Sequence, residues 1–232
     1  MNPVKFILLT IFFVIFFQSF TVSQDLVKFE IHPYFGKVGL STSGNFYHIS
    51  ESDSVRIDVL KFYVSDLTLY DGSVRVWQEK DSYHLMDHSA RQSFIVDLKV
   101  DQSLVFDRIQ FNIGIDSITN SAGVAGADLD PTKGMYWTWQ SGYINFKLEG
   151  VSNLCKTRKN EFQFHLGGYK QPYQALRTFN AEIPKRSHID VKMDLYNFIQ
   201  EANIKQVNHI MTPGNESAEL SDKLLKVFSI SE

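Results

Sequence analysis

An all-β, two-sheet antiparallel β-sandwich with long loops and a short C-terminal helix is the fold class this sequence predicts. Three observations predict it. Apolar residues recur with period two in run after run, turn residues separate the runs, and aromatic residues abound (19 Phe, 10 Tyr and 3 Trp in 232 residues). Alternation marks half-buried strands, and aromatic side chains suit their pleated surface. The connections are too short for repeated crossover helices, which argues against a parallel α/β sheet.

Ahead of the first strand, Lys5 precedes an unbroken apolar run from Phe6 to Phe17, with small residues at Thr21 and Ser23. That order is the pattern of a secretory signal peptide. The run falls short of the roughly 20 apolar residues a membrane span needs. Residues 1–23 are therefore expected to be cleaved, leaving a single domain over 24–232. The product is expected in the periplasm or secreted. No Cys stands beside the cut to carry a lipid, and no membrane span is expected after cleavage.

The strands follow in order. Val27, Phe29 and Ile31 alternate with Lys28, Glu30 and His32, and residues 36–44 form a loop. Alternation resumes from Ser54 to Leu69, with a phase change near Leu60 that a β-bulge or a change of sheet explains. Asp71-Gly72 marks a tight hairpin, because such turns need positive φ. Further strands are expected over 93–100, 106–115, 136–150, 161–166, 175–183 and 188–198. Residues 120–133, rich in Gly, Ala, Asp and Pro, form a long loop of the kind that carries function. Only 217–228 has helical spacing, through Leu220, Leu224, Leu225 and Phe228.

Composition excludes several classes. With 23 basic and 26 acidic residues, the net charge is −3, and nothing suggests a nucleic-acid surface. No nucleophile elbow, phosphate loop, His-Glu-x-x-His or Cys-x-x-Cys is present, so no enzymatic activity is expected. Cys155 stands alone, which rules out a disulfide within the chain, and its polar surroundings suggest a loop thiol.

Two features could carry chemistry. His32 and His165 each sit on the polar phase of an otherwise alternating strand. His209 lies in Asn208-His209-Ile210-Met211, just before Pro213-Gly214. A single strand histidine is ordinarily a surface residue. Several with a thioether nearby suit copper, since imidazole binds Cu(I) and Cu(II) and soft sulfur favours Cu(I). His84 and His88 are weaker candidates. The second feature is the block from Gly126 to Tyr143, in which Trp137 and Trp139 are expected on one face of a strand. Its plain reading is a Trp pair packed in the core, with Asp128 and Asp130 ordering the loop or holding Ca²⁺.

The run Leu129-Asp130-Pro131, Gly134-Met135, Trp137, Trp139 and Gly142-Tyr143, followed by Leu148-Glu149-Gly150, resembles the core of the MbnP-like (methanobactin-partner) copper-binding family. Tyr63-Val64-Ser65, Gly114-Ile115-Asp116, Phe164-His165-Leu166-Gly167-Gly168 and His209-Ile210-Met211 agree in order, and the resemblance spans about 27–230. It implies an exported β-sandwich that holds copper largely through histidines, in copper acquisition or handling. It also implies that a Trp is oxidised to kynurenine by a dihaem peroxidase-type maturation enzyme. Trp137 and Trp139 match the family's Trp block.

Copper is therefore expected on His32, His165 and His209, with Met211 or Met135 as a soft supplementary ligand and the Trp residues lining the site. On this assignment His165→Ala loses binding and His188→Ala keeps it. The alternative is an extracytoplasmic glycan- or protein-binding β module that is not an enzyme. It would stack Tyr136, Tyr143, Tyr169 and Tyr173 on its partner, with the Asp loop structural. The discriminating observation is whether imidazoles from distant strands converge.

Overall fold

Alternation builds the first strand as expected. β1 (Gln24–Phe35) buries Val27, Phe29 and Ile31 and leaves Lys28, Glu30 and His32 half-buried on the opposite face. The computed structural model describes residues 24–231 except 102, 140, 141 and 185–187; the expected signal peptide lies outside the described residues.

After β1 come β2 (Val38–Gly39), β3 (Phe46–His48), β4 (Ser54–Asp71), β5 (Val74–Gln78), β6 (Tyr83–Asp87), β7 (Ile95–Asp101) and β8 (Arg108–Ile113). The second half holds β9 (Tyr136–Trp137), β10 (Gly142–Ser152), β11 (Glu161–Gly167), β12 (Arg177–Glu182), β13 (His188–Asp194), β14 (His209–Ile210) and β15 (Phe228–Ile230). Among the described residues three α-helices interrupt them: α1 (Ser117–Ala122), α2 (Leu195–Ala202) and α3 (Asn215–Leu224).

The smaller sheet has the order β15-β13-β1-β2, with β7 against the first part of β1. The larger runs β12-β8-β4-β10-β11-β14, with β3, β5 and β6 paired to the long β4 and β9 to β10. Most pairs are antiparallel, as expected. Two are parallel, β1 with β13 and β11 with β14, so both sheets are mixed. These parallel partners are far apart in sequence, where no crossover pattern was legible.

The inner faces of the two sheets meet in one core. Phe29 of the smaller sheet meets Phe111 of the larger edge-on at 5.4 Å, and Phe62 of the larger meets Phe228 of the smaller at 6.0 Å. The phase change near Leu60 is a bulge. Glu149 pairs with Val59 but Gly150 pairs with Ile57, leaving Asp58 as the extra residue. Ile57 and Leu60 therefore both reach the core. The hairpin after Asp71 is also present, with Gly72 at φ 57°.

Two expectations at the C-terminal end change. The strand expected over 188–198 stops at Asp194, whose carboxylate accepts the Tyr196 N–H and caps α2. Leu195, Phe198 and Ile199 then share a buried helical face. The expected helix over 217–228 ends at Leu224. Phe228 instead opens β15, opposite Met193.

The outer faces of the sandwich differ. Residues 115–137 fold over the larger sheet and bury Leu129, Met135 and Trp137, with Tyr143 of β10, against Tyr63 in a second apolar cluster. The outer face of the smaller sheet, around Lys28, Glu30 and His32, is half-buried. No helix among the described residues is long and apolar enough to cross a membrane.

Candidate functional site

The parallel register of β1 and β13 assembles the site. It sets Lys28 opposite His188, Glu30 opposite Asp190 and His32 opposite Lys192. Period-two alternation turns all of these away from the core. His32 Nε2 lies 2.7 Å from Asp190 Oδ1, and His32 Nδ1 lies 3.7 Å from Glu30 Oε1. His188 Nε2 lies 3.3 Å from the same Asp190 oxygen and 3.5 Å from Glu30 Oε2. That nitrogen is shielded from solvent yet makes no hydrogen bond of acceptable geometry.

Two imidazoles from strands at opposite ends of the chain thus face one carboxylate oxygen. Glu30, His32 and Asp190 each offer a ligand atom within 4.8 Å of the others; among the described residues no other such group of three forms. His188 is not a member of that group, although its Nε2 faces the same two carboxylates and stands beside it as a second imidazole. That set fits a divalent first-row ion, and Cu²⁺ binds most tightly in that series. It contains no sulfur donor, so it suits Cu(II) better than Cu(I).

The three histidines singled out from sequence do not form one site. His32 points outward from the smaller sheet, whereas His165 points outward from the larger, with the core between them. His165 is buried, its Nε2 2.6 Å from Glu149 Oε1 and its Nδ1 without a partner. His209 is exposed on β14, opposite Gln163 and so on the face of β11 that carries His165. Met211 follows it, half-buried. Met135 is fully buried in the second cluster. His188, expected to be a bystander, faces the same Asp190 oxygen as His32. Its position on the polar phase of 188–194 was legible; its register with β1 was not.

His84 pairs with Glu79 at 2.8 Å. His88 is buried against Phe94 with both ring nitrogens unpartnered, and burial holds it below the usual imidazole range. Cys155 lies in the loop between β10 and β11, as expected, but is buried against the core, and burial pushes its thiol up to about 11.

The Trp pair divides. Trp137 is 5% exposed and Trp139 61%, with ring centroids 6.0 Å apart. Trp139 has left the strand, which explains why the two do not share its face. The Trp137 indole packs over Gly167, where a Cβ would approach its ring to 2.7 Å, two residues along β11 from His165. Trp137, Tyr143, Tyr169, Tyr173, Pro172 and Pro213 line a cleft of about 250 Å³. The Asp loop is ordered by protein contacts. Asp128 accepts the Leu85 N–H at 2.9 Å and takes Lys133 Nζ at 2.6 Å, and Asp130 accepts the Thr132 N–H and hydroxyl.

The Glu149–His165 pair predicts a pH response. The hydrogen bond from His165 is the main influence holding the Glu149 carboxyl below its ordinary value, against an opposing effect of burial. A carboxyl depressed in the folded state adds stability above its ordinary value, and that stability is lost as pH falls through the folded value. The melting temperature of the native protein is therefore expected to fall more steeply than that of Glu149→Gln as pH drops below about 4.3. Calorimetry at stepped pH checks this; parallel slopes would refute it.

Fold and site together define a mixed-sheet β-sandwich that carries its ligand-type side chains on the outside of a sheet. The chain matches the model of the MbnP family over residues 24–212 and belongs to that family. Among solved structures it is similar to MbnP from Methylosinus trichosporium, with TM-score 0.59 at 12% identity, covering 90% of this chain and 99% of that one. No curated protein matches it.

Proposed function

We propose that this chain is an exported, non-enzymatic copper-binding protein of copper acquisition or handling. It would hold Cu(II) through His32 and His188, with Glu30 and Asp190 completing the donor set. The observation that carries the reading is the Glu30, His32 and Asp190 group, whose ligand atoms all lie within 4.8 Å of one another, with His188 Nε2 facing both carboxylates at 3.3 and 3.5 Å. Membership of the MbnP family supports copper over other divalent ions. The signal-peptide pattern supports a periplasmic or secreted location. Kynurenine formation by a dihaem peroxidase-type partner belongs to the same proposal. The exposed Trp139 is the more accessible of the two indoles for such an enzyme.

The test is copper loading of the mature chain purified without a His-tag. Stoichiometric copper by metal analysis is expected, with nitrogen hyperfine structure in the Cu(II) resonance and a raised melting temperature. Saturation at about 100 times the dissociation constant adds about 2.7 kcal/mol. A metal-free product with an unshifted melting temperature would refute the proposal. Mass spectrometry of the Trp137–Trp139 peptide from the native host tests the oxidation separately.

A further inference from the structure

Glu30 already has a cation. Lys28 Nζ lies 2.7 Å from Glu30 Oε2, the same oxygen that faces His188 Nε2 at 3.5 Å. Lys28 and Glu30 are two apart on β1 and so share a face. On one side of Lys28 the register places His188; on the other it places Asp97 of β7. The ammonium therefore stands between the ligand cluster and a second carboxylate that lies outside it.

Resting on the copper reading above, we infer that Lys28 is an internal counter-cation that competes with the metal for Glu30. Copper enters as the ammonium moves from Glu30 towards Asp97. Without metal, Lys28 offsets part of the repulsion between Glu30 and Asp190, whose Cα positions pair directly across the strands. With metal, the ammonium and a divalent ion would claim one oxygen. Unit charges about 4 Å apart interact appreciably even in water and more strongly near a protein surface. The resident lysine thus lowers affinity for any adventitious divalent ion and leaves the site to the ion that binds two imidazoles most tightly. Asp97 lets the lysine give way without losing a carboxylate partner.

The test is a double-mutant cycle on the mature chain, read as the Cu(II) dissociation constant in a competitive titration. Lys28→Met is expected to tighten binding about tenfold, from removal of one unit charge at that distance. In the Glu30→Gln background the same change is expected to have a smaller effect, because the carboxylate that holds the ammonium beside the ligand cluster is gone. Asp97→Asn is expected to weaken binding in the native background and not in Lys28→Met. Lys28→Gln serves if Lys28→Met fails to fold. Equal dissociation constants for the native chain and the Lys28 variants would overturn the inference. So would equal tightening in both Glu30 backgrounds, which would mark a general surface-charge effect. No binding by the native chain at all would instead refute the copper reading beneath it.

Discussion

Alanine at both His32 and His188 is expected to abolish copper retention, while alanine at His165 or His209 leaves it unchanged. The double substitution removes both imidazoles and leaves Glu30 and Asp190, oxygen donors that bind Cu(II) less well without nitrogen. Loss of a supporting partner alone costs a metal site about 10–100-fold in affinity, so loss of two ligands is expected to exceed about a hundredfold. Either single substitution should fall between, because Asp190 Oδ1 faces both rings and can still close on the one that remains. Competitive titration supplies the dissociation constants, and thermal melting verifies that each variant is folded. The expectation drawn from sequence alone also used His32, but with His165 and His209 as the other imidazole ligands and His188 dispensable. A native-like dissociation constant in the double variant would place the copper elsewhere, and a loss confined to His165→Ala would place it over the larger sheet.

Phe62→Ala is expected to cost the fold about 3–5 kcal/mol, the range for deleting a fully buried aromatic side chain. Phe62 is 0% exposed and lies in β4 of the larger sheet. Its ring meets Phe94, Phe146 and Phe228 at centroid distances of 5.9, 6.1 and 6.0 Å. Phe146 is its neighbour in the same sheet, whereas Phe228 belongs to the facing one. The cavity left behind therefore opens across the sandwich, where rigid sheets close it poorly. Denaturant unfolding should show a lower midpoint with an unchanged slope, the signature of lost stability without a change in exposed surface. An unfolding free energy within about 0.5 kcal/mol of the native protein's, the scale of ordinary surface changes, would contradict the packing described.

Local signals were legible and long-range ones were not. Val27, Phe29 and Ile31 revealed β1 and the outward face that carries His32. The phase change near Leu60 indicated a bulge or a change of sheet, between which only the strand register decides, and Asp71-Gly72 revealed the hairpin. Asp194 was a helix cap concealed by the alternation before it, since Ile189, Val191 and Met193 lead without a break in apolar phase into Leu195. The metal candidates were individually visible as polar-phase histidines. What sorted them was which strand lies beside which, and on which side of the core. Nothing in the local pattern of 188–194 says that it runs parallel to β1, so His188 was separated from His32. The Trp-rich block signalled the family without revealing that Trp137 would be buried and Trp139 left in solvent.

The parallel seam between β1 and β13 also bears on when the molecule acquires its chemistry. The His32–Asp190 contact joins residues 158 apart in sequence. Closing so long a loop is entropically slow, and topologies dominated by distant contacts fold late. A chain emerging from the ribosome or a translocation pore holds half the donor set until its last quarter arrives. On the proposed copper reading, ion capture would wait until β13 has docked on β1, and copper uptake is expected to time that docking in a refolding experiment.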